Sequence, residues 1–227
     1  MMPAPVAVDF PLTGEWITPN TPGKKVPSHG TDMLGQRYAY DFVRPAPGAQ
    51  GMRFYRHSPL RYLVLGARLR DCYGWGQPIY SPSAGAVVHA VDGWPERDPV
   101  HLARDLTVAL KHAFTFDLNR TTDFRPLAGN HIILETADGY ALIAHAQTGS
   151  IRVSPGDTVT VGQRLANVGH SGNSTAPHLH FHLMNRPDPR TAQGIPCCFR
   201  EYEVLRDGEW KVVHNGIPKH TDRIRKL

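Results

Sequence analysis

The run Pro177-His178-Leu179-His180-Phe181-His182 constrains this 227-residue chain more than any other stretch. Polar and apolar side chains alternate with a period of two, which is the period of a β-strand. His178, His180 and His182 therefore share one face, while Leu179 and Phe181 point to the other. Three imidazoles in register are costly core material, yet neutral imidazole is the commonest protein ligand for zinc. A strand that follows the Gly/Ser/Asn-rich segment Gly169-His170-Ser171-Gly172-Asn173-Ser174 and presents three histidines points to a metal site. A solvated polar strand face is the alternative that the pattern leaves. His180, at the centre, is the first ligand candidate.

The chain has only three cysteines, Cys72, Cys197 and Cys198. None has Cys-x-x-Cys spacing, which argues against a disulfide framework and against a thiolate zinc site. Any metal would be held by histidine and carboxylate. Asp41, inside Tyr38-Ala39-Tyr40-Asp41-Phe42-Val43, is expensive to bury unless it is paired or binds a cation; an edge-strand acid facing water is the other reading. His29, in Ser28-His29-Gly30-Thr31-Asp32, reads equally as loop polarity or as a ligand.

A net charge of +5 suggests mild attraction to anionic partners, among them nucleic acid and the bacterial wall. The basic residues are dispersed apart from Arg223-Ile224-Arg225-Lys226, and no nucleic-acid motif accompanies them, so no nucleic-acid partner is expected. No apolar run is long enough to span a bilayer. The first residues lack the basic and apolar regions of a secretory leader. The expected compartment is cytoplasmic as the sequence stands, or periplasmic or extracellular if the N-terminus was trimmed.

The organisation expected is a proline-rich extended arm over residues 1–28, a mainly β domain over 29–186, and a C-terminal extension over 187–227 carrying a hairpin on the same domain. That domain is expected to consist mainly of strands and tight turns. Strands are expected at Gly85–Val91, at Asn130–Glu135 paired with Tyr140–His145, and at 201–205 paired with 210–213 across Arg206-Asp207-Gly208-Glu209. Val159–Val168 reads as a further hairpin arm. Between Asp98 and Phe114 the apolar residues fall on a helical period behind an Asp98 N-cap with Pro99 at the first helical position, so a helical insertion is expected over 98–114. Pro45–Trp75 reads as a second decoration of the groove.

Gly169-His170-Ser171-Gly172-Asn173-Ser174-Thr175-Ala176-Pro177-His178-Leu179-His180-Phe181 resembles the loop and His-x-His strand of the lysostaphin-type zinc endopeptidases, which cut peptidoglycan peptides. Gly129-Asn130-His131-Ile132-Ile133-Leu134 resembles that family's Gly-Asn strand, and Ala144-His145 resembles its next strand. Ser154–Gln163 and Gly76–Gly85 are similar to two further family segments, in preserved order over about residues 29–183. The resemblance implies one zinc per chain held by His29, Asp41 and His180, with His145 and His178 as catalytic residues. Asn130, Asn173 and His182 would support substrate or site. It implies an antiparallel β-sheet forming a narrow groove with loops around the zinc site, and peptidoglycan peptides as substrate; a monomer is expected.

Three departures stand out. The family's His-x-x-x-Asp spacing is absent, since Arg37 precedes Asp41 by four residues and His29 precedes it by twelve, and this leaves Asp32 as a rival acid. His182 stands where the family more often has Glu. Two long insertions decorate the groove. A non-catalytic relative that binds the wall or activates another hydrolase is the alternative function. A biotinyl or lipoyl carrier, suggested by Val159–Ala166, fails because no lysine lies between Lys111 and Lys211. The remaining histidines, His170 among them, read as ordinary polar or packing residues.

Overall fold

The structure, a computed structural model, describes residues 4–49, 51–115, 123–220 and 222–226; residues 1–3 of the expected arm lie outside these. The strands in chain order are β1 (Val6–Val8), β2 (Gly14–Asn20), β3 (Tyr40–Val43), β4 (Pro78–Tyr80), β5 (Gly85–Val91), β6 (Asn130–Thr136) and β7 (Gly139–Ala146). They continue as β8 (Thr158–Val159), β9 (Arg164–Asn167), β10 (His178–Met184), β11 (Gly194–Ile195), β12 (Cys197–Arg206), β13 (Glu209–Gly216) and β14 (Arg223–Lys226). Three helices, α1 (Pro59–Leu65), α2 (Leu102–Thr115) and α3 (Arg125–Ala128), lie between strands.

Among the described residues, twelve strands form one sheet in the order β1-β12-β14-β2-β3-β10-β7-β6-β5-β8, with β11 added beside β10 and β13 beside β12. A separate pair, β4 and β9, packs Ile79, Leu165 and Ala166 into the same core. The protein is mainly β, as the alternating patterns require. All strand pairs are antiparallel except β1 with β12, which is parallel, so the sheet is mixed at one edge. The first residues do not merely drape over the domain: β1 and β2 are paired into the main sheet.

The His-rich strand is central. β10 pairs with β3 on one side and β7 on the other, setting His180 opposite both Asp41 and Ala144. Leu179, Phe181 and Leu183 point into the main core with Tyr40, Phe42 and Phe199. Tyr40 and Phe42 stack at 5.8 Å between ring centroids, and Phe10 meets both Phe42 and Phe199 edge-on at 5.2 Å. Burying this aromatic group stabilises the strand by roughly 1.5–3 kcal/mol per large side chain. It also locks the register, because a one-residue slip would send the apolar set to the opposite face.

The C-terminal hairpin forms as its turn predicts: Asp207 and Gly208 both have positive φ, 54° and 82°, the conformation that joins strands with matching twist. Other expectations are corrected. Val159–Val168 is not a hairpin, since β8 joins β5 while β9 joins β4. Tyr38 ends a 3₁₀ turn over Met33–Tyr38 rather than opening β3. The insertion helix starts at Leu102, and neither Asp98 nor Pro99 begins it. Val100 is fully buried and exchanges two backbone hydrogen bonds with Ala67, which keeps the chain extended there. Asp98 instead accepts from the Leu69 amide at 3.1 Å. The apolar stripe Leu102, Leu106 and Leu110 faces outward, 45–52% exposed, and the helix is anchored by the buried Asp105.

Candidate metal centre and catalytic groove

Asp41 sits at the middle of β3, on the face opposite Tyr40 and Phe42, and only 7% of it is exposed. Its Oδ2 lies 2.9 Å from His29 Nε2, its Oδ1 lies 2.9 Å from His180 Nδ1, and Asn20 donates to Oδ2 at 2.7 Å. The three candidate donors of His29, Asp41 and His180 fall within 4.8 Å of one another. The sequence separation between His29 and Asp41 is closed by the 3₁₀ turn, within which Leu34 and Gly35 both take positive φ. Gly35 is required there, because a Cβ would stand 2.9 Å from that of Met184. Asp32 is not in the cluster; it is exposed and bound by the Arg37 guanidinium at 2.6 Å.

The far ring nitrogens are engaged. Ser28 Oγ donates to the Gln36 carbonyl (3.4 Å) and lies 3.0 Å from His29 Nδ1, so it accepts that N–H and leaves His29 Nε2 as a lone pair. His182 Nδ1, 3.0 Å from His180 Nε2, can take that proton and leave His180 Nδ1 bare. His182 thus sits behind a candidate ligand rather than among the three candidate donors. A buried carboxylate with two imidazole nitrogens 2.9 Å away offers a converging set of donors that a cation could use. Two imidazoles, one carboxylate and no thiolate suit zinc.

Electrostatics agree with a cation-binding centre. Burial works against the charge on Asp41, but the surrounding His29, His178 and His180 hold its carboxyl well below the usual carboxylate range. Burial lowers His180, and lowers His182 strongly, toward the neutral forms that bind metal.

His178 and His145 lie beside this cluster, their rings 4.6 Å apart. His178 Nδ1 is 2.7 Å from the Ala176 carbonyl, and His145 Nδ1 is 2.9 Å from the Ser171 carbonyl. A carbonyl only accepts, so both rings carry the proton on Nδ1 and keep Nε2 available. His178 Nε2 lies 3.5 Å from Asp41 Oδ1. Asp41 raises the pKa of His178 against its burial, whereas burial and the neighbouring His178 and His180 push His145 well down.

His145 reaches the centre through strain. Ile143 and Ala146 both belong to the core, so simple alternation would not place His145 with Ala144 on the site face. A positive φ of 61° at His145, beside a register shift between β6 and β7, turns its side chain to the site. A non-glycine residue held there costs about 1–3 kcal/mol. Nothing in the local sequence signals this bulge.

The 169–176 loop holds both rings. Ser171 supplies the carbonyl for His145, while its hydroxyl donates to Ala146 O and accepts from the Asn130 amide. Asn130 is fully buried and ties the Trp94 backbone to Ala146 and Thr148, so it braces the strand ends. Asn173, on the same loop, lines the groove. The groove is a cavity of about 890 Å³ with the five site residues along it. Val91, Leu127, Ile133 and Leu142 give it an apolar side; Arg125 and Arg190 are among its charged lining residues.

Residues 118–192 match the family described as peptidase family M23. That match spans about a third of the chain. The chain is similar to the peptidoglycan DD-endopeptidases ShyA and ShyB of Vibrio cholerae serotype O1, at 34% identity over 67 residues and 36% over 73. These matches cover 30% and 31% of this chain but only 15% and 17% of the relatives. Among solved structures, the catalytic domain of the antimicrobial peptidase lysostaphin from Staphylococcus simulans is 21% identical. It covers 80% of this chain and 88% of its own, with a TM-score of 0.39. The M23 segment contains His145, His178, His180 and His182. His29 and Asp41 precede it, and the sheet brings them to it.

Proposed function

We propose that this protein is a zinc-dependent endopeptidase that hydrolyses peptide bonds in peptidoglycan stem peptides or cross-bridges. The observation that carries this reading is the convergence of His29, Asp41 and His180, with His145 and His178 beside them in an M23 segment. In this reading His29, Asp41 and His180 hold the ion, leaving a coordination position open. When bound, zinc would supply Lewis acidity, polarising a carbonyl and acidifying water.

The remaining chemistry belongs to the chain. With Nδ1–H fixed on backbone carbonyls, His145 and His178 present Nε2 toward the centre. Its raised pKa suits His178 to hold a proton and pass it to the leaving amine; His145, kept neutral, suits accepting a proton from water. Once protonated, either imidazole also stabilises negative charge developing on the scissile oxygen. The apolar side of the groove excludes water from the peptide.

The test is digestion of isolated sacculi and purified cross-linked muropeptides, followed by separation of the products. Release of new peptide amines that stops with chelator and returns with zinc is the expected result. Intact cross-links with zinc-loaded protein would overturn the proposal.

A further inference from the structure

His178 is held from a second direction, by the insertion. Ser174 Oγ lies 3.0 Å from His178 Nδ1 and 3.0 Å from His170 Nδ1. His170 Nε2 lies 3.3 Å from Asp105 Oδ2, in the first turn of α2. Ser174, His170 and Asp105 are all fully buried. Asp105 is pinned in turn: Arg97 Nε donates to it at 2.8 Å and the His101 amide at 2.8 Å. Arg97 also donates to the carbonyls of Gly172 and Ser174, both at 2.6 Å, clamping the loop to the insertion.

The proton positions follow from the ends inward. A carboxylate only accepts, so His170 carries its proton on Nε2. Burial lowers the pKa of His170 and favours its neutral form, which leaves Nδ1 as an acceptor. The Ser174 hydroxyl has two acceptors in reach, His170 Nδ1 and the Ala176 carbonyl at 2.5 Å. That carbonyl already takes the His178 N–H. At 2.5 Å the carbonyl is the closer of the two and takes the hydroxyl proton, while the His178 Nδ1–H lies between that carbonyl and the Ser174 oxygen. Ser174 thus packs against both rings at 3.0 Å, and His170 reaches Asp105 at 3.3 Å, so the contacts run unbroken from His178 to the insertion.

We propose that Asp105 and His170 are positioning residues for the proposed peptidase, fixing the ring of His178 through Ser174. The insertion is then part of the reacting apparatus and not only a wall of the groove. The inference rests on the place of His178 beside the candidate metal centre in the function proposed above. Polar partners one step removed from reacting groups commonly contribute about 10- to 100-fold in activity.

The experiment uses the zinc-loaded full chain and the variants Asp105→Asn, His170→Asn, Ser174→Ala and the double variant Asp105→Asn/Ser174→Ala. Zinc content and melting temperature are measured alongside kcat, KM and the downfield Nδ1–H resonance of His178. His170→Asn keeps an amide near Ser174 but cannot span to Asp105, so it tests the chain without removing a buried charge. The expected result is a fall in kcat of about 10-fold or more in each single variant, with KM and zinc content unchanged. The His178 resonance should shift in all of them, and the double variant should be no slower than Ser174→Ala alone, because the residues act as one unit. Additive losses, a loss confined to melting temperature, or an unmoved resonance would overturn the proposal. If the native chain turns over no substrate, the peptidase reading fails on its own and the resonance alone decides the positioning.

Discussion

A carboxylate ringed by His29, His178 and His180 keeps its charge, so replacing Asp41 with asparagine removes that charge at nearly constant volume. Asp41→Asn is expected to weaken zinc binding and abolish hydrolysis, whereas Asp32→Asn should only loosen the Arg37 contact. Chelator competition on both variants checks this, and metal loss in Asp32→Asn alone would reverse the assignment. His180→Ala should strip the metal, while His178→Ala should keep it and lose turnover; metal analysis beside a peptide assay separates the two. Strand alternation made it legible that His178, His180 and His182 share a face, whereas the division of roles among them rests on the family resemblance. The contribution of His170 was not legible. Its partner Asp105 lies 65 residues away on an insertion, and no spacing rule connects them.

At the scale of elements, α2 shows where periodicity misleads. The apolar period from Val100 to Leu110 located a helix, but Leu102, Leu106 and Leu110 face outward and the polar Asp105 is what is buried. Leu106→Glu should therefore change stability by no more than about 0.5 kcal/mol, measured by urea unfolding. Asp105 should behave in the opposite way. Burial disfavours its charge, yet His170, Arg104, Arg97 and the His101 amide hold its pKa well below the ordinary value. As pH falls, the unfolded chain takes up that proton first. The stabilisation is complete above an ordinary aspartate pKa of about 3.9 and drains away below it. The gap in unfolding midpoint between the native chain and Asp105→Asn should narrow as pH drops from 5 toward 3; a constant gap would show that the charge contributes nothing. The 159–168 segment failed as a hairpin for a related reason: its two arms read as β-structure, but only tertiary pairing tells that they join different neighbours.

For the whole molecule, the deciding fact is that the donor set is split across the chain. The matched segment at 118–192 contains both catalytic candidates and one candidate ligand, while Asp41 arrives on β3 beside β10 and His29 on the loop ahead of the 3₁₀ turn. A fragment limited to 118–192 should bind no zinc by metal analysis, and the edge of β10 left bare by the loss of β3 should make it aggregate. The sheet order could not be read from local pattern, because β14 from the C-terminus sits between β2 and β12 and joins the two ends of the chain. This layout sets a timetable for biosynthesis. Asp41 leaves the ribosome long before His180, which lies 139 residues further on. Until β10 emerges, the acid has neither its strand partner nor its full complement of imidazoles. Assembly of the candidate metal cluster therefore waits for β10, because Asp41 does not meet His180 until that strand has been made and paired with β3.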